Sequence, residues 1–272
     1  MAQTIEFIGP RGVGKSTLYN AVLKNLSPNS TCAGGGSFLP YVDMRDKGIL
    51  GKIEYFIRKK LKKELKDQRA LQVSGYQFIQ AHQDLCSYAW KMIDKYQHTD
   101  YNNTDNRFRA AYNLYNNFLK HRLVESSDLD KYCLTGEGII HAALLIFNKN
   151  YDPSDLSEFL EHLPLPRAVI YCEATPDIVA ERCLKRRSVV SQLHKSKAQL
   201  LEDAQIEIDL YKRILFELTN KEIEIFHVDT SRSIEENKTL ILDFISEIEL
   251  PSQQFIPATK IPLGLDPLIP SV

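Results

Sequence analysis

The chain opens on an almost continuous apolar run, Thr4-Ile5-Glu6-Phe7-Ile8, the pattern of a strand covered on both faces. A helical period takes over at about residues 16–26, and Gly34, Gly35 and Gly36 then predict an irregular connector. From residue 47 to about 124 the period stays helical and predicts no strand. Residues 51–66 place Ile53, Phe56, Ile57, Leu61 and Leu65 on one face and lysines on the other, an amphipathic helix with a solvated basic side. Two further helices are predicted over 71–96 and 107–123, joined by a polar link at 98–105. Residues 131–135 read as a short strand, 139–147 as a buried helix, and 167–173 as the clearest interior strand. Thr175 as cap and Pro176 at the first turn start the next helix. A long helix over about 195–220, a strand at 223–229 and a last helix ending near 249 complete the pattern. Prolines at 251, 257, 262, 267 and 270 forbid regular structure in the tail, 251–272. Strands alternating with helices predict an α/β fold built as one domain over 1–250, with a helical insertion at about 47–124.

Between the first strand and the first helix stands Gly9-Pro10-Arg11-Gly12-Val13-Gly14-Lys15-Ser16-Thr17. This is the spacing of a phosphate-binding loop in the strand-to-helix setting such a loop requires. Its glycines let successive amides aim at one point, and the helix adds its positive end. Lys15 is expected on the outer phosphates of a nucleotide and Ser16 on the Mg²⁺ that travels with them. Together they make a cradle for a polyphosphate with its Mg²⁺.

Composition narrows the partners. The 272 residues carry 34 Lys and Arg against 35 Asp and Glu, a net charge of −1, so no global field favours nucleic acid or a membrane surface. The run 139–147 is about half of the roughly 20 residues a bilayer needs. Five cysteines without a paired spacing suggest reduced thiols, and the immediate entry into a strand argues against a signal segment. Together these suggest a cytoplasmic protein, with a homodimer left open.

Two other stretches carry chemistry. Residues 131–137 end a strand on Thr135-Gly136-Glu137, and ligands of parallel sheets gather at the carboxyl ends of strands. Glu137 is therefore a candidate to take a proton from an attacking hydroxyl or to hold the metal's water shell, and His141 lies one turn on. Arg182 and Arg186 share a helix face at spacing four, suited to clamping a phosphoryl group. The polar side chains of the helical region, Tyr76, Gln77, Arg107 and Arg109 among them, are candidate acceptor contacts, with Arg11 as another.

The phosphate loop, the acid after the third strand, and Val169-Ile170-Tyr171-Cys172-Glu173-Ala174-Thr175-Pro176 leading to Arg182 and Lys185-Arg186-Arg187 resemble the nucleoside and nucleotide kinases, particularly the thymidylate kinase and deoxynucleoside kinase branch. Phe226-His227-Val228-Asp229-Thr230-Ser231 before a helix adds to the likeness, which covers some two thirds of the chain. The resemblance implies a three-layer fold with a five-stranded parallel sheet, an Arg-bearing lid at about 182–200 that includes Arg187, and adenine held near residues 231–234, with Arg232 among its contacts. It also implies Glu137 as the base. Two departures stand out: Gly138 replaces the arginine that usually follows the acid, and Arg11 replaces an acid in the loop. The expected activity is phosphoryl transfer from ATP to a hydroxyl or phosphate of a nucleoside-like acceptor, with a sugar or antibiotic as the alternative acceptor. A nucleotide-dependent switch without a small acceptor is the other class, although Asn148-Lys149-Asn150-Tyr151 lacks the acid of a guanine-reading motif.

Overall fold

The computed structural model describes residues 3–27, 29–35, 38, 68–97, 106–127, 130–147, 150–186 and 195–248. The basic stretch at 51–66, the link at 98–105, Arg187 and the tail lie outside them. Five strands, β1 (Thr4–Ile8), β2 (Cys32–Gly34), β3 (Tyr132–Thr135), β4 (Ala168–Glu173) and β5 (Glu224–Asp229), form one sheet in the order β2-β3-β1-β4-β5. Every pairing is parallel. The architecture is thus α/β with helices on both faces of the sheet, as the strand–helix alternation requires.

Alternation along β1 decides which core each residue enters. Ile5 and Phe7 join a cluster with α1 (Lys15–Asn25), α7 (Pro176–Arg186) and α9 (Ile234–Glu247). Ile8 points the other way, into a larger cluster. That cluster is built from α2 (Gln68–Ala81), α3 (Gln83–Tyr96), α4 (Asn106–Glu125), α5 (Ala142–Ile146), α6 (Pro153–His162) and the C-terminal half of α8 (Lys197–Thr219). Complete burial of these side chains, at about 25 cal/mol per Å² of apolar area, is what holds the layers together. Among the described residues, no helix is long and apolar enough to cross a membrane.

Three local expectations change. The glycine run does not begin as a loop: Gly34 belongs to β2, paired with Leu134, and its lack of a side chain admits Leu23 of α1, whose Cδ2 would lie 2.9 Å from an added Cβ. The helix expected over 71–96 is broken at His82, whose backbone leaves the helical region at φ −128°, ψ 51°. The ring of His82 stacks on Phe78 with centroids 4.3 Å apart, and its Nε2 lies 3.7 Å from a Glu125 oxygen on α4. The buried run at 139–147 is regular helix only over Ala142–Ile146, because the amides of Ile139 and Ile140 are drawn to a side chain on β1.

The ends of the later helices follow their local chemistry. Ser196 and Ser233 each form a reciprocal capping box, with Gln199 and Glu236, which satisfies otherwise orphaned amides at the start of α8 and α9. The start of α1 has no such side chain. Its cap is Gly14, at φ 113°.

Candidate active site

β1 leaves the middle of the sheet and turns through the glycine loop into α1, so the loop lies at the carboxyl edge beside the ends of β3 and β4. Gly9, Gly12 and Gly14 all take positive φ, the conformation the turn demands of them. At Gly12 there is also no room behind the chain: an added Cβ would sit 2.4 Å from Cys183 Sγ. Among the described residues, no acceptor takes a hydrogen bond from the amides of Gly14, Lys15 or Ser16. Those donors, and the positive end of α1, face an open cavity of about 680 Å³.

Lys15 is buried, and its Nζ turns back to donate to the carbonyls of Gly9 at 2.5 Å and Pro10 at 3.0 Å. Burial lowers its pKa, with Glu207 the leading opposing influence. An anion in the cavity would give this ammonium a better partner than two neutral carbonyls. Arg11, by contrast, is already committed: its amide donates to Glu207 Oε2 at 2.7 Å and its guanidinium pairs with Oε1 of the same carboxylate. The loop is thereby pinned to α8. Ser16 and Thr17 are exposed at the cavity edge.

Arg182 reaches from α7 to the back of the loop. Its guanidinium donates to Val13 O at 2.6 Å, to Thr230 Oγ1 at 2.9 Å and to Thr230 O at 2.8 Å. The expected clamp is therefore divided. Arg182 ties the loop to the end of β5, whereas Arg186, one turn on, is exposed on the cavity wall. Beyond Thr230 the wall continues through exposed Arg232, half-exposed Ile234 and buried Asn237, which donates to Asp229 O at 2.9 Å.

Glu137 is exposed on the turn after β3 and lines the same cavity, facing the loop across it. It also borders a second pocket of about 190 Å³, walled by Glu6, Phe38, and Asn117, Lys120 and His121 of α4. His141 stands between the main cavity and a third recess of about 350 Å³ against α8. Its Nδ1 lies 3.2 Å from the hydroxyl of buried Tyr211, which in turn accepts the amide of Gly9.

Burial, and then the charges of Lys15 and Arg11, push the pKa of His141 down to about 3. Its folded pKa lies below the unfolded value of about 6.5, so the unfolded chain binds the extra proton first and stability falls as pH drops from about 6.5 towards 3. The slope expected from this residue is at most about 1.4 kcal/mol per pH unit. Urea midpoints compared at pH 7 and pH 5 should show it, and His141→Gln should flatten the difference.

Other expected acceptor contacts lie elsewhere. Tyr76 is exposed and accepts from Gln80 at 2.8 Å; Arg107 pairs with Asp94 at 2.7 Å and donates to Gln97 O. Gln77 and exposed Arg109 likewise border none of the three cavities. Glu6, Asn117, Lys120 and His121 instead line the pocket that Glu137 borders, and only Glu6 has a signal in the sequence, a charge in mid-strand. No group of three or more His, Cys, Asp or Glu able to hold a metal exists among the described residues. The Ser16 hydroxyl and the Glu137 carboxylate suit an Mg²⁺ that arrives on phosphate oxygens and keeps its waters, since that ion needs only one or two protein oxygens. No protein-family model matches the chain and no curated protein matches its sequence, so the reading of this site rests on its own residues and geometry.

Proposed function

We propose that the chain is an ATP- and Mg²⁺-dependent small-molecule kinase of the P-loop kinase type. The observation that carries the reading is one cavity in which the uncapped glycine loop, Lys15, Ser16, Arg186 and Glu137 all face the same space. The loop amides and Lys15 would hold the β and γ phosphates, and Ser16 would hold the metal, which supplies charge neutralisation on those phosphates. Arg232 and Ile234 border the end of the cavity suited to adenine.

For the transfer, the acceptor hydroxyl oxygen forms a bond to the γ phosphorus as the bond from that phosphorus to the bridging oxygen breaks. ADP leaves with the bridging oxygen, and the hydroxyl proton goes to Glu137. Such a reaction is accelerated mainly by positioning and charge stabilisation, which these side chains supply. The acceptor is drawn to the 190 Å³ pocket because, among the described residues, Glu137 is the one acidic side chain that borders both it and the phosphate-loop cavity. A hydroxyl is favoured over a phosphate as the accepting group. The place of a phosphate-binding arginine is taken by Gly138, and the space behind it is filled by the Glu6 carboxyl group.

A thermal-shift screen of nucleosides, nucleoside monophosphates, sugars and aminoglycosides with a non-hydrolysable ATP analogue should identify the acceptor by mass action. ATP turnover should then depend on that compound. Glu137→Gln is expected to lower kcat by about 10²- to 10⁴-fold while ATP affinity is kept. Turnover that ignores every small molecule and answers only to a protein would favour a nucleotide-dependent switch instead.

A further inference from the structure

Glu6 is a carboxylic acid in the central strand of a sheet covered on both faces, and none of its surface is exposed. Such a group persists only if its oxygens are satisfied. They are: Oε1 accepts the amide of Ile139 at 2.9 Å and the Thr4 hydroxyl at 3.3 Å, and Oε2 accepts the amide of Ile140 at 3.0 Å. Its carboxyl group also lies directly beneath Gly138, where an added Cβ would come within 2.1 Å of Cδ. The residue is three places before Gly9 on the strand that becomes the phosphate loop, and the turn it grips carries Glu137. Burial raises its pKa, which the two amides oppose.

We propose that Glu6 is a positioning residue: its carboxyl group locks the Glu137–Ile140 turn to the strand that feeds the phosphate loop, and so sets where Glu137 stands relative to Lys15. The proposal rests on the kinase reading above. It also accounts for glycine at 138, since any side chain there would evict the group that holds the turn. A glutamine at position 6 keeps the shape but presents an NH₂ to one of two main-chain donors, so the turn loses one of its two attachments.

The test is a double-mutant cycle on the full chain with the acceptor found in the screen. Glu6→Gln is expected to lower kcat about 10- to 100-fold, the cost of roughly an ångström of misplacement, with KM for ATP changed less than about twofold. In the Glu137→Gln background it should add nothing. Loss that multiplies with that of Glu137→Gln, or a KM for ATP that rises in step, would mean a merely structural acid and overturn the proposal. If Glu6→Gln does not fold, Thr4→Val, which removes one bond to the carboxylate, takes its place with an expected loss of about threefold and the same non-additivity. Hydrogen exchange on the unmodified protein gives an independent reading: the Ile139 and Ile140 amides should exchange at least about 100-fold more slowly than an open chain. Exchange at the open-chain rate would overturn the clamp. If Glu137→Gln itself leaves acceptor turnover intact, the kinase reading fails, an outcome distinct from Glu6→Gln being silent while Glu137→Gln is not.

Discussion

Replacing Lys15 with alanine is expected to weaken binding of Mg²⁺-ATP by about 10²- to 10⁴-fold and to take acceptor phosphorylation below detection. The estimate follows from two charge-assisted hydrogen bonds to phosphate oxygens at about 1.5–3 kcal/mol each. Some loss of stability is expected alongside, because the buried carbonyls of Gly9 and Pro10 lose the Nζ donor. Isothermal titration with a non-hydrolysable analogue, alongside a melting curve, separates the two effects. Lys15→Arg should not restore binding, since a planar fork cannot occupy a space shaped for a compact ammonium. Affinity retained within a factor of three in Lys15→Ala would mean that phosphate does not sit in the loop.

Loss of the Arg182 guanidinium should be felt first as loss of stability. Its three bonds to Val13 O, Thr230 Oγ1 and Thr230 O are partly buried, and alanine would leave two main-chain carbonyls without their donor. At about 1–3 kcal/mol for each orphaned group, discounted for water from the cavity side, Arg182→Ala is expected to cost about 2–4 kcal/mol. That corresponds to a fall in Tm of about 5–15 °C for a domain of this size. Nucleotide affinity should fall as well, because the loop is no longer held to the end of β5. Arg182→Lys keeps the charge but not the fork and should recover little of either. A variant that melts like the unmodified protein yet loses kcat alone would instead make Arg182 a direct contact of the phosphoryl group.

How much of this was legible beforehand depends on how local the physics was. The loop's glycines, the helix start at Pro176, the cap at Ser233 and the buried strands 4–8 and 168–173 are set by neighbours within a few residues, and their positions in the chain announce them. Glu137 was placed correctly at a strand end for the same reason. What stayed hidden depends on partners far away in sequence. Arg11 is claimed by Glu207, 196 positions on, and Arg182 by Val13, 169 positions away. At the break at His82 the distant partner is Glu125 on another helix, 3.7 Å from Nε2, which does not disturb the local helical period. The polar helix residues Tyr76, Arg107 and Arg109 looked like ligand contacts because composition carries no direction. Asn117, Lys120 and His121, in the helix that carries Arg107 and Arg109, are the ones that line a cavity.

The Arg182 tether grips main-chain oxygens at both ends of its span apart from one hydroxyl, and main-chain oxygens are the same whatever residue supplies them. The joint therefore reads the path of the main chain at residues 13 and 230 and, apart from that hydroxyl, not the side chains there. The second pocket is walled differently, with Asn117, Lys120 and His121 all drawn from α4. On the kinase reading proposed above, a switch from one alcohol to another would take a few substitutions on that single helical turn, with the phosphate loop left untouched.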